Sequence, residues 1–575
     1  MVKHWLLFLT LFAVSSAATA QNEDRGFQLH PKQYERGVDV DAKMFIGDWR
    51  DSIYRVKFGS LVIRDIFTPN LSGNPLKPSG KGEVLEVYKE FAQCFLAANT
   101  ITTPTTLAGE QAVFYVTAGT AQISAGDRIY CLEIGSAALV PADLEFTLKS
   151  GPDEELSMLM VIEPIVGDFT PRKDLFVRNG KNSHYASSGH WSNISVPLIG
   201  KDDGLCVMHS FFEVLIMPHK IARPHASLGL GTDVNWYCVE GDWTNLGKQI
   251  WKFRPGMAFK NPSDGRVYHS NINTSEKPIK FIHIRSESPQ SLYGKYMGEQ
   301  KRDEFYALHG NPDANVDTDM FVHSWKHKEP RIEHGAIRVS DIFTENTSED
   351  PLKPEKKGAV LDVFSEYAWG VLEPGESTTK ETLWGEQKVF YFTGGEGEVT
   401  GGKDTVQFNG YTGVLIPEGL SFQIKNTGNK SLTMLILGEK TYKGFKPRKD
   451  MLVIKEGEKP LSGTYSHWNN INKPIFGKNN GMARLVGFGA VWLSPATMAQ
   501  LHASRGLGTD VLWLALEGDI WSVLGQTLYR LERGMAFKNP SDGLIYHGNI
   551  NTTENMIKLL WTRSISPEQA ENLGK

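Results

Sequence analysis

The ten-residue sequence Gly256-Met257-Ala258-Phe259-Lys260-Asn261-Pro262-Ser263-Asp264-Gly265 occurs twice, because residues 534–543 repeat it without change. A shorter run, Gly229-Leu230-Gly231-Thr232-Asp233-Val234, likewise recurs at residues 506–511. Identity between separated segments indicates an internal duplication. The repeated unit covers approximately residues 38–288 and 316–566. The polar stretch 290–315 between the two copies is interpreted as a linker.

Each repeat carries short runs of β-branched and aromatic residues that are separated by Gly, Asn and Pro. Residues 113–116 (Val-Phe-Tyr-Val) and their copy at 389–392 (Val-Phe-Tyr-Phe) are examples, whereas continuous helical periodicity is scarce. Many short strands with frequent turns are typical of all-β sandwiches and barrels. A repeat of about 250 residues is long enough for two such domains. The sequence therefore predicts an all-β chain of four barrels.

The decapeptide also belongs to a longer spaced motif. Its members are Gly256, Pro262, His269 and Asn273, matched by Gly534, Pro540, His547 and Asn551. This spacing resembles the second motif of the cupin superfamily, although the interval from Pro to His is two residues longer here than in the family pattern. Upstream, the segments 224–241 and 502–518 resemble the first cupin motif, in which a His-x-His pair and a Glu precede a strand that ends in Gly.

The resemblance implies which residues occupy the positions of the family's three-His, one-Glu metal site. His225 and His269 match the first and last His, Ser227 replaces the second, and Asp233 lies one position from the expected Glu; the copies are His502, His547, Ser504 and Asp510. A two-His, one-carboxylate set in each repeat would suit a divalent ion such as zinc, manganese, nickel or iron. Because successive strand side chains point to opposite faces, a bulge would have to turn Asp233 inward.

The first part of each repeat resembles a cupin barrel without a metal site, since Phe146 and Phe422 stand where the ligand His would be. The resemblance implies an all-β, tandem duplicated bicupin of four jelly-roll barrels, in the order degenerate, site-bearing, degenerate, site-bearing. The expected segments are a signal peptide at 1–20, an N-terminal arm at 21–55, barrels at 56–165 and 166–289, a linker at 290–331, and barrels at 332–440 and 441–567.

Each candidate residue also has a structural interpretation. The four motif histidines are either site residues or barrel-interior side chains satisfied by hydrogen bonds, and Asp233 and Asp510 either bind metal or cap their own turns. Lys260 and Lys538, in the identical decapeptide, are the nearest candidate countercharges for an anion. Two tryptophans and two His-Trp pairs are interpreted as packed core residues in preference to aromatic surfaces that bind sugars: Trp236, Trp513, His190-Trp191 and His467-Trp468.

Composition and charge exclude some classes of partner. The 61 Lys and Arg against 66 Asp and Glu give a formal charge of -5, which lacks the basic excess of nucleic-acid-binding proteins. No apolar stretch beyond the N-terminus reaches the roughly 20 residues needed to cross a bilayer. We expect a monomer with an internal pseudo-dimer, or a homo-oligomer.

The N-terminus and the cysteines indicate the compartment. Residues 1–20 resemble a secretory signal, with an apolar core at 6–14 and a small-residue cleavage site at Ala18-Thr19-Ala20. We therefore expect a secreted or periplasmic protein. Its four cysteines permit disulfides, but all lie in the first repeat and so are not a shared site: Cys94, Cys131, Cys206 and Cys238.

The family resemblance and the signal favour an enzyme on acidic, uronic-acid-containing oligosaccharides, of the carbon–oxygen lyase (dehydratase) type. A neutral His would remove the proton next to the carboxylate, while Lys or a bound cation holds the developing charge. The four motif histidines would be acid and base or hold the ion. Two alternatives remain open: a metal-dependent dioxygenase or other oxidoreductase with a two-His, one-carboxylate iron site, and a non-catalytic carbohydrate-binding or storage cupin.

Overall fold

The structure is a computed structural model that describes residues 40–187, 190–227, 229–264, 267–287, 316–463, 469–504 and 506–573. The expected signal peptide and most of the expected linker lie outside these residues. The described residues form two compact units, which correspond to the sequence repeats: 40–287, and 316–573 apart from Gln526–Leu528, which group with the first unit.

The described part of the N-terminal unit contains 23 strands, most of them short. Their bounds are β1 Ile46–Asp48, β2 Tyr54–Lys57, β3 Leu61–Pro69, β4 Glu83–Leu85, β5 Glu90–Leu96, β6 Glu110–Ala118, β7 Ala121–Ala125, β8 Arg128–Leu132, β9 Ser136–Val140, β10 Thr147–Ser150, β11 Leu156–Pro164, β12 Phe176–Asn179, β13 Ala186–Ser187, β14 Asn193–Gly200, β15 Met208–Ile216, β16 Lys220–Ile221, β17 His225–Ala226, β18 Val234–Glu240, β19 Trp243–Leu246, β20 Gln249–Lys252, β21 Met257–Asn261, β22 Tyr268–Asn273 and β23 Ile279–Ser286. Short 3₁₀ helices lie at Ala42–Phe45, Trp49–Asp51, Gly180–Asn182 and Lys201–Asp203.

The second repeat follows the same order of strands with one addition, β29, and ends in a short α-helix. Its strands are β24 Val322–Ser324, β25 Arg331–Glu333, β26 Ile337–Glu345, β27 Ala359–Leu361, β28 Glu366–Leu372, β29 Glu381–Thr382, β30 Glu386–Gly394, β31 Glu396–Gly401, β32 Asp404–Asn409, β33 Thr412–Ile416, β34 Ser421–Asn426, β35 Leu432–Lys440, β36 Leu452–Lys455, β37 Ser462–Gly463, β38 Asn470–Gly477, β39 Leu485–Leu493, β40 Thr497–Met498, β41 His502–Ala503, β42 Val511–Glu517, β43 Ile520–Leu524, β44 Thr527–Leu531, β45 Met535–Asn539, β46 Tyr546–Asn551 and β47 Ile557–Ser564. Its helices are the 3₁₀ turns Thr318–Phe321, Trp325–His327, Glu456–Glu458 and Lys478–Asn480, and α1 at Pro567–Glu571.

Each unit consists of two barrels, and each barrel is closed by two sheets. In the first barrel the order β12-β9-β6-β11-β5-β3-β2 faces β10-β7-β8. In the second barrel the order β1-β21-β18-β23-β15-β14-β13 faces a sheet that contains β17-β22-β19-β20. The second repeat has the same arrangement, with β25-β26-β28-β35-β30-β33-β36 facing β29-β34-β31-β32, and β24-β45-β42-β47-β39-β38-β37 facing β46 and its partners.

The two barrels of a unit exchange strands. Strand β1, from the expected N-terminal arm, pairs with β21 of the second barrel, whereas β12, which follows the first barrel in sequence, pairs back with β9. In the second repeat β24 pairs with β45 and β36 with β33 in the same way. Each barrel therefore needs backbone hydrogen bonds from its neighbour's part of the chain.

The central sheets are buried on both faces, because each separates a barrel core from the neighbouring barrel. On β6, the alternate residues Ala112, Phe114 and Val116 line the core of the first barrel, while Val113 and Tyr115 pack in the cluster shared with the second. Alternation of side chains across a strand produces these two faces. The apolar run at 113–116 therefore reflects burial on both sides.

Two buried carboxylates fasten the barrels of each unit to one another. Glu163, at the end of β11, accepts hydrogen bonds from the backbone N–H groups of residues 206–208 at the start of β15. Asp233, just before β18, accepts them from residues 86–88 of the first barrel at 2.8–2.9 Å. Glu439 and Asp510 make the same contacts in the second repeat. These acids satisfy backbone donors that burial would otherwise leave unpaired.

Candidate functional site

Two histidines of the cupin-like motifs face each other inside the second barrel of each unit. His225 on β17 lies directly opposite His269 on β22, and their ring centroids are 4.2 Å apart. His502 and His547 take the same register in the second repeat, also at 4.2 Å. The two motifs, which are separated along the chain, therefore meet at one place in each unit.

A third imidazole, which the sequence reasoning assigned to core packing, joins the pair in the N-terminal unit. His190 Nε2 lies 3.2 Å from His225 Nε2, and the two rings are 4.4 Å apart. His283 on β23 adds a fourth ring, 4.4 Å from Trp236. His190 had one usable sequence signal, its recurrence as His467, but His467 lies outside the described residues.

Burial keeps this cluster uncharged. It lowers the pKa of His269 to about 3, and the nearby His190 ring adds to this effect. It lowers the pKa of His190 to about 4, and the charge of Arg223 adds to that effect. Burial likewise holds the pKa values of His225 and His283 well below the ordinary range. Neutral imidazoles are suited to ligating metal, whereas such low pKa values make them weak bases.

The hydrogen bonds of His225 determine which nitrogen carries its proton. Nδ1 lies 3.0 Å from the backbone oxygen of Arg223. A carbonyl only accepts, so Nδ1 of the neutral ring donates and Nε2 carries the lone pair. His502 Nδ1 makes the corresponding contact with the Gln500 oxygen at 3.1 Å. Metal-ligating histidines are commonly oriented through their second nitrogen in this way.

The buried amide and imidazole groups around the cluster lack partners for several atoms. Neither ring nitrogen of His269 has a hydrogen bond of good geometry to a described residue, and the same holds for both side-chain atoms of Asn261 and of its copy Asn539. Asn261 and Asn539 are 0% exposed. Asn261 lies on the same face of β21 as Phe259, whose ring is 6.0 Å from His269. Buried polar groups are nearly always satisfied, so a polar ligand or water is expected here.

The donor set fits a divalent metal in part. His190 Nε2 and His225 Nε2 are hydrogen-bonded to each other at 3.2 Å. Two nitrogens bound to one tetrahedral ion are about 3.3 Å apart, so an ion held by both would take the place of that hydrogen bond. The described residues contain no preformed group of three or more His, Cys, Asp or Glu side chains that could hold a metal ion. His269 would therefore complete the set only by turning its ring toward the other two.

The structure places the expected carboxylate ligand away from the histidines. The ladder between β18 and β21 is regular over Val234 to Tyr237, and Asp233, directly before it, accepts hydrogen bonds from the backbone N–H groups of residues 86–88. Trp236 and Phe259 face His269, and Asp233 lies on the opposite side of β18, in the contact with the first barrel. Asp510 repeats this arrangement in the second unit.

The expected catalytic lysines also lie away from the histidines. Lys260 is 2% exposed, forms an ion pair with Asp233 at 2.7 Å and donates to the Val84 backbone oxygen. Lys538 pairs with Asp510 at 2.8 Å and with Asp362. Both amines are used between barrels and face away from the histidines.

A different cation stands beside the N-terminal cluster. Arg223 is 7% exposed, its N–H donates to the His190 backbone oxygen at 3.3 Å, and its own oxygen accepts from His225. Its charge contributes to the low pKa of both imidazoles. The equivalent residue of the second repeat is Gln500, so identity between the repeats does not mark Arg223 as a site residue.

The cysteines take no part in the site. All four are free thiols, and burial raises the pKa of Cys94, Cys206 and Cys238. Among the described residues no helix is long and apolar enough to cross a membrane.

Comparison with known proteins adds fold-level likeness only. No protein-family model and no curated protein matches the sequence. Three solved structures that align are protein Ylba from E. coli, a point mutant of Bacillus subtilis oxalate decarboxylase and the Momordica charantia 7S globulin. Their sequence identities are 11%, 12% and 12%, and their TM-scores are 0.34, 0.34 and 0.33, in that order. The alignments cover 45%, 44% and 43% of this chain and 98%, 80% and 85% of the other chain. At these scores the likeness carries no inference about substrate or reaction.

The fold of each unit is clear from the chain's own features. Each unit is a pair of two-sheet barrels that exchange strands, and the motif histidines stand opposite one another inside the second barrel of each pair. The described residues therefore have the all-β fold of a tandem duplicated bicupin, with four two-sheet barrels.

Proposed function

We propose that the chain is a metal-dependent enzyme that acts on uronic-acid-containing carbohydrate, as free acid or ester, in the second barrel of each unit. The observation that carries the proposal is the pair of imidazole nitrogens, His190 Nε2 and His225 Nε2, 3.2 Å apart in a buried site. His269, whose ring nitrogens make no hydrogen bond of good geometry to a described residue, supplies the third donor. His502 and His547 play the corresponding parts in the second unit.

The reaction type we propose is elimination from a uronic acid residue: the proton next to the carboxylate passes to water, the bond from the adjacent carbon to the leaving oxygen breaks with its electron pair, and a carbon–carbon double bond forms. Imidazoles with pKa values of about 3 and 4 are too weak to remove the proton next to a carboxylate unaided. A bound divalent ion would supply Lewis acidity for the charge that develops. In the N-terminal barrel Arg223 replaces Lys260 as the cation that would hold the substrate carboxylate, since Arg binds carboxylates through paired hydrogen bonds.

The alternative functions make different demands on these residues. A two-His, one-carboxylate iron site requires Asp233, which is occupied by backbone N–H groups and Lys260. A binding or storage cupin requires neither metal nor turnover. Two observations therefore distinguish the proposed enzyme from these alternatives: a metal ion bound through the imidazoles, and formation of the elimination product.

The test is elemental analysis and activity of the chain from Gln21 onward. The variants are His190→Ala, the pair His225→Ala and His269→Ala, and the pair His502→Ala and His547→Ala, with Ser227→Ala as the matched control near the site. Activity is followed on oligogalacturonides as the absorbance of unsaturated product, together with O₂ consumption.

We expect up to one metal ion per unit in the wild type, loss of one per unit when its histidine pair is removed, and unsaturated product that disappears with the metal. Retained metal in the His225 and His269 double variant would refute the assigned donors. Iron with O₂ consumption and no unsaturated product would replace the lyase by an oxygenase, and a metal-free, inactive protein that still binds the oligosaccharide would establish a binding cupin.

A further inference from the structure

The two histidine barrels differ at three positions that face the cluster, although the decapeptide that begins their second motif is identical. Arg223, Phe212 and His283 of the N-terminal unit are replaced by Gln500, Gly489 and Trp561 in the second repeat. We infer that the two sites select different ligands: the N-terminal barrel takes an anionic, carboxylate-bearing group, and the C-terminal barrel takes its uncharged counterpart. This inference deepens the proposed function and rests on it.

The first difference is charge at a backbone contact that both repeats make. Arg223 and Gln500 both accept the Nδ1 proton of the motif His through their backbone oxygens, at 3.0 and 3.1 Å. Both side chains are buried, at 7% and 2% exposure. Arg keeps its charge in proteins, so the N-terminal site has a permanent cation where the other site has a neutral amide.

The other two differences concern a pair of residues that lie opposite each other on neighbouring strands: a large and a medium-sized side chain in one repeat correspond to no side chain and a larger one in the other. In the N-terminal barrel His283 packs on Phe212, with ring centroids 4.6 Å apart, and on Trp236. In the C-terminal barrel Trp561 takes the place of His283, and Gly489 opposite it takes the place of Phe212. The Trp561 ring also covers Gly487, where an added Cβ would lie 2.7–2.8 Å from ring carbons.

These exchanges change the chemistry of the wall. The N-terminal wall offers an additional imidazole near a cation, which suits a carboxylate. The C-terminal wall offers a large indole in the absence of that cation, and an aromatic face suits the apolar face of a sugar ring. Because the identical residues Asn261 and Asn539 line both barrels, the sites are expected to share recognition of sugar hydroxyls and to differ in recognition of charge.

The test uses one pair of probes that differ only in charge, the trimer of galacturonic acid and its methyl ester. Binding is measured by calorimetry on full-length variants that retain one site each: His502→Ala with His547→Ala leaves the N-terminal site, and His225→Ala with His269→Ala leaves the C-terminal site. Arg223→Gln is then added to the first background and Gln500→Arg to the second. Each substitution introduces the residue that the other repeat already accommodates at that position.

We expect the N-terminal site to prefer the acid over the ester by about 10-fold or more, and Arg223→Gln to abolish that preference. The C-terminal site should prefer the ester, and Gln500→Arg should move it toward the acid. Equal charge preference at the two sites, or a preference unchanged by either substitution, would overturn the inference while leaving the proposed function intact. If neither probe binds either site, the proposed substrate class fails and the inference fails with it.

Discussion

Replacing Asp233 by Asn removes the charge on which a buried contact between two barrels depends. Asp233 is 0% exposed and accepts three backbone N–H groups at 2.8–2.9 Å, and it forms an ion pair with Lys260 at 2.7 Å. Asn keeps the size of the side chain but directs an NH₂ group at donors. It also leaves the Lys260 ammonium buried without its partner.

The expected cost follows from that geometry. Breaking a buried ion pair by neutralising one partner lowers the free energy of unfolding by about 3–5 kcal/mol, because the remaining charge is desolvated and uncompensated. At roughly 2–4 °C per kcal/mol for a unit of this size, the melting temperature should fall by roughly 6–20 °C.

The assay is differential scanning calorimetry on the full chain, together with metal content. Lys260→Met alone should be destabilising as well, because it leaves the carboxylate without its cation. The double variant with Asp233→Asn and Lys260→Met should recover part of the loss, since the two residues are coupled. Asp510→Asn is the matched variant in the second unit and should be less destabilising, because Lys538 keeps its ion pair with Asp362.

The result that would refute this reasoning is specific. If Asp233→Asn left the melting temperature within about 2 °C of wild type while the N-terminal unit lost its metal, Asp233 would be a metal ligand and its placement between the barrels would be wrong. Unchanged metal content with a large loss of stability is the expected outcome.

Buried groups give three further predictions. Leu in place of Asn261 should raise the free energy of unfolding by about 1–3 kcal/mol, because it removes an unpaired buried amide. It should also weaken the binding of oligogalacturonides. A lowered free energy of unfolding in urea would mean that a bound water satisfies the amide. In the metal-free protein, His269→Asn should flatten the pH dependence of stability. The pKa of His269 is about 3 in the folded protein against 6.5 in the unfolded chain, so wild-type stability is lost as the pH falls from 6.5, by up to about 1.4 kcal/mol per pH unit. Equal slopes of stability against pH for the two proteins would contradict this. Alkylation of the unfolded, unreduced chain should modify four cysteines in mass spectrometry, and two would indicate a disulfide.

The candidate site was only partly predictable. The spacing of the motifs was enough to pair His225 with His269, because both lie in short strands whose order the family pattern implies. Asp233 was misplaced because one residue of offset along a strand reverses the face of its side chain. Lys260, which forms an ion pair with Asp233, was misplaced with it. His190 and Arg223 come from segments whose approach to the cluster has no periodic signal.

The sequence by itself determined the duplication, the all-β class and the two histidines that meet in each second barrel, since these depend on repeat identity, on local strand propensity and on fixed spacing. Only the tertiary structure decided which face each polar residue occupies, which strands the barrels exchange and which cation stands beside the imidazoles. The physical reason is that faces and neighbours are set by strand register and by packing between distant segments. Those contacts are fixed when the barrels close, and local sequence does not encode them.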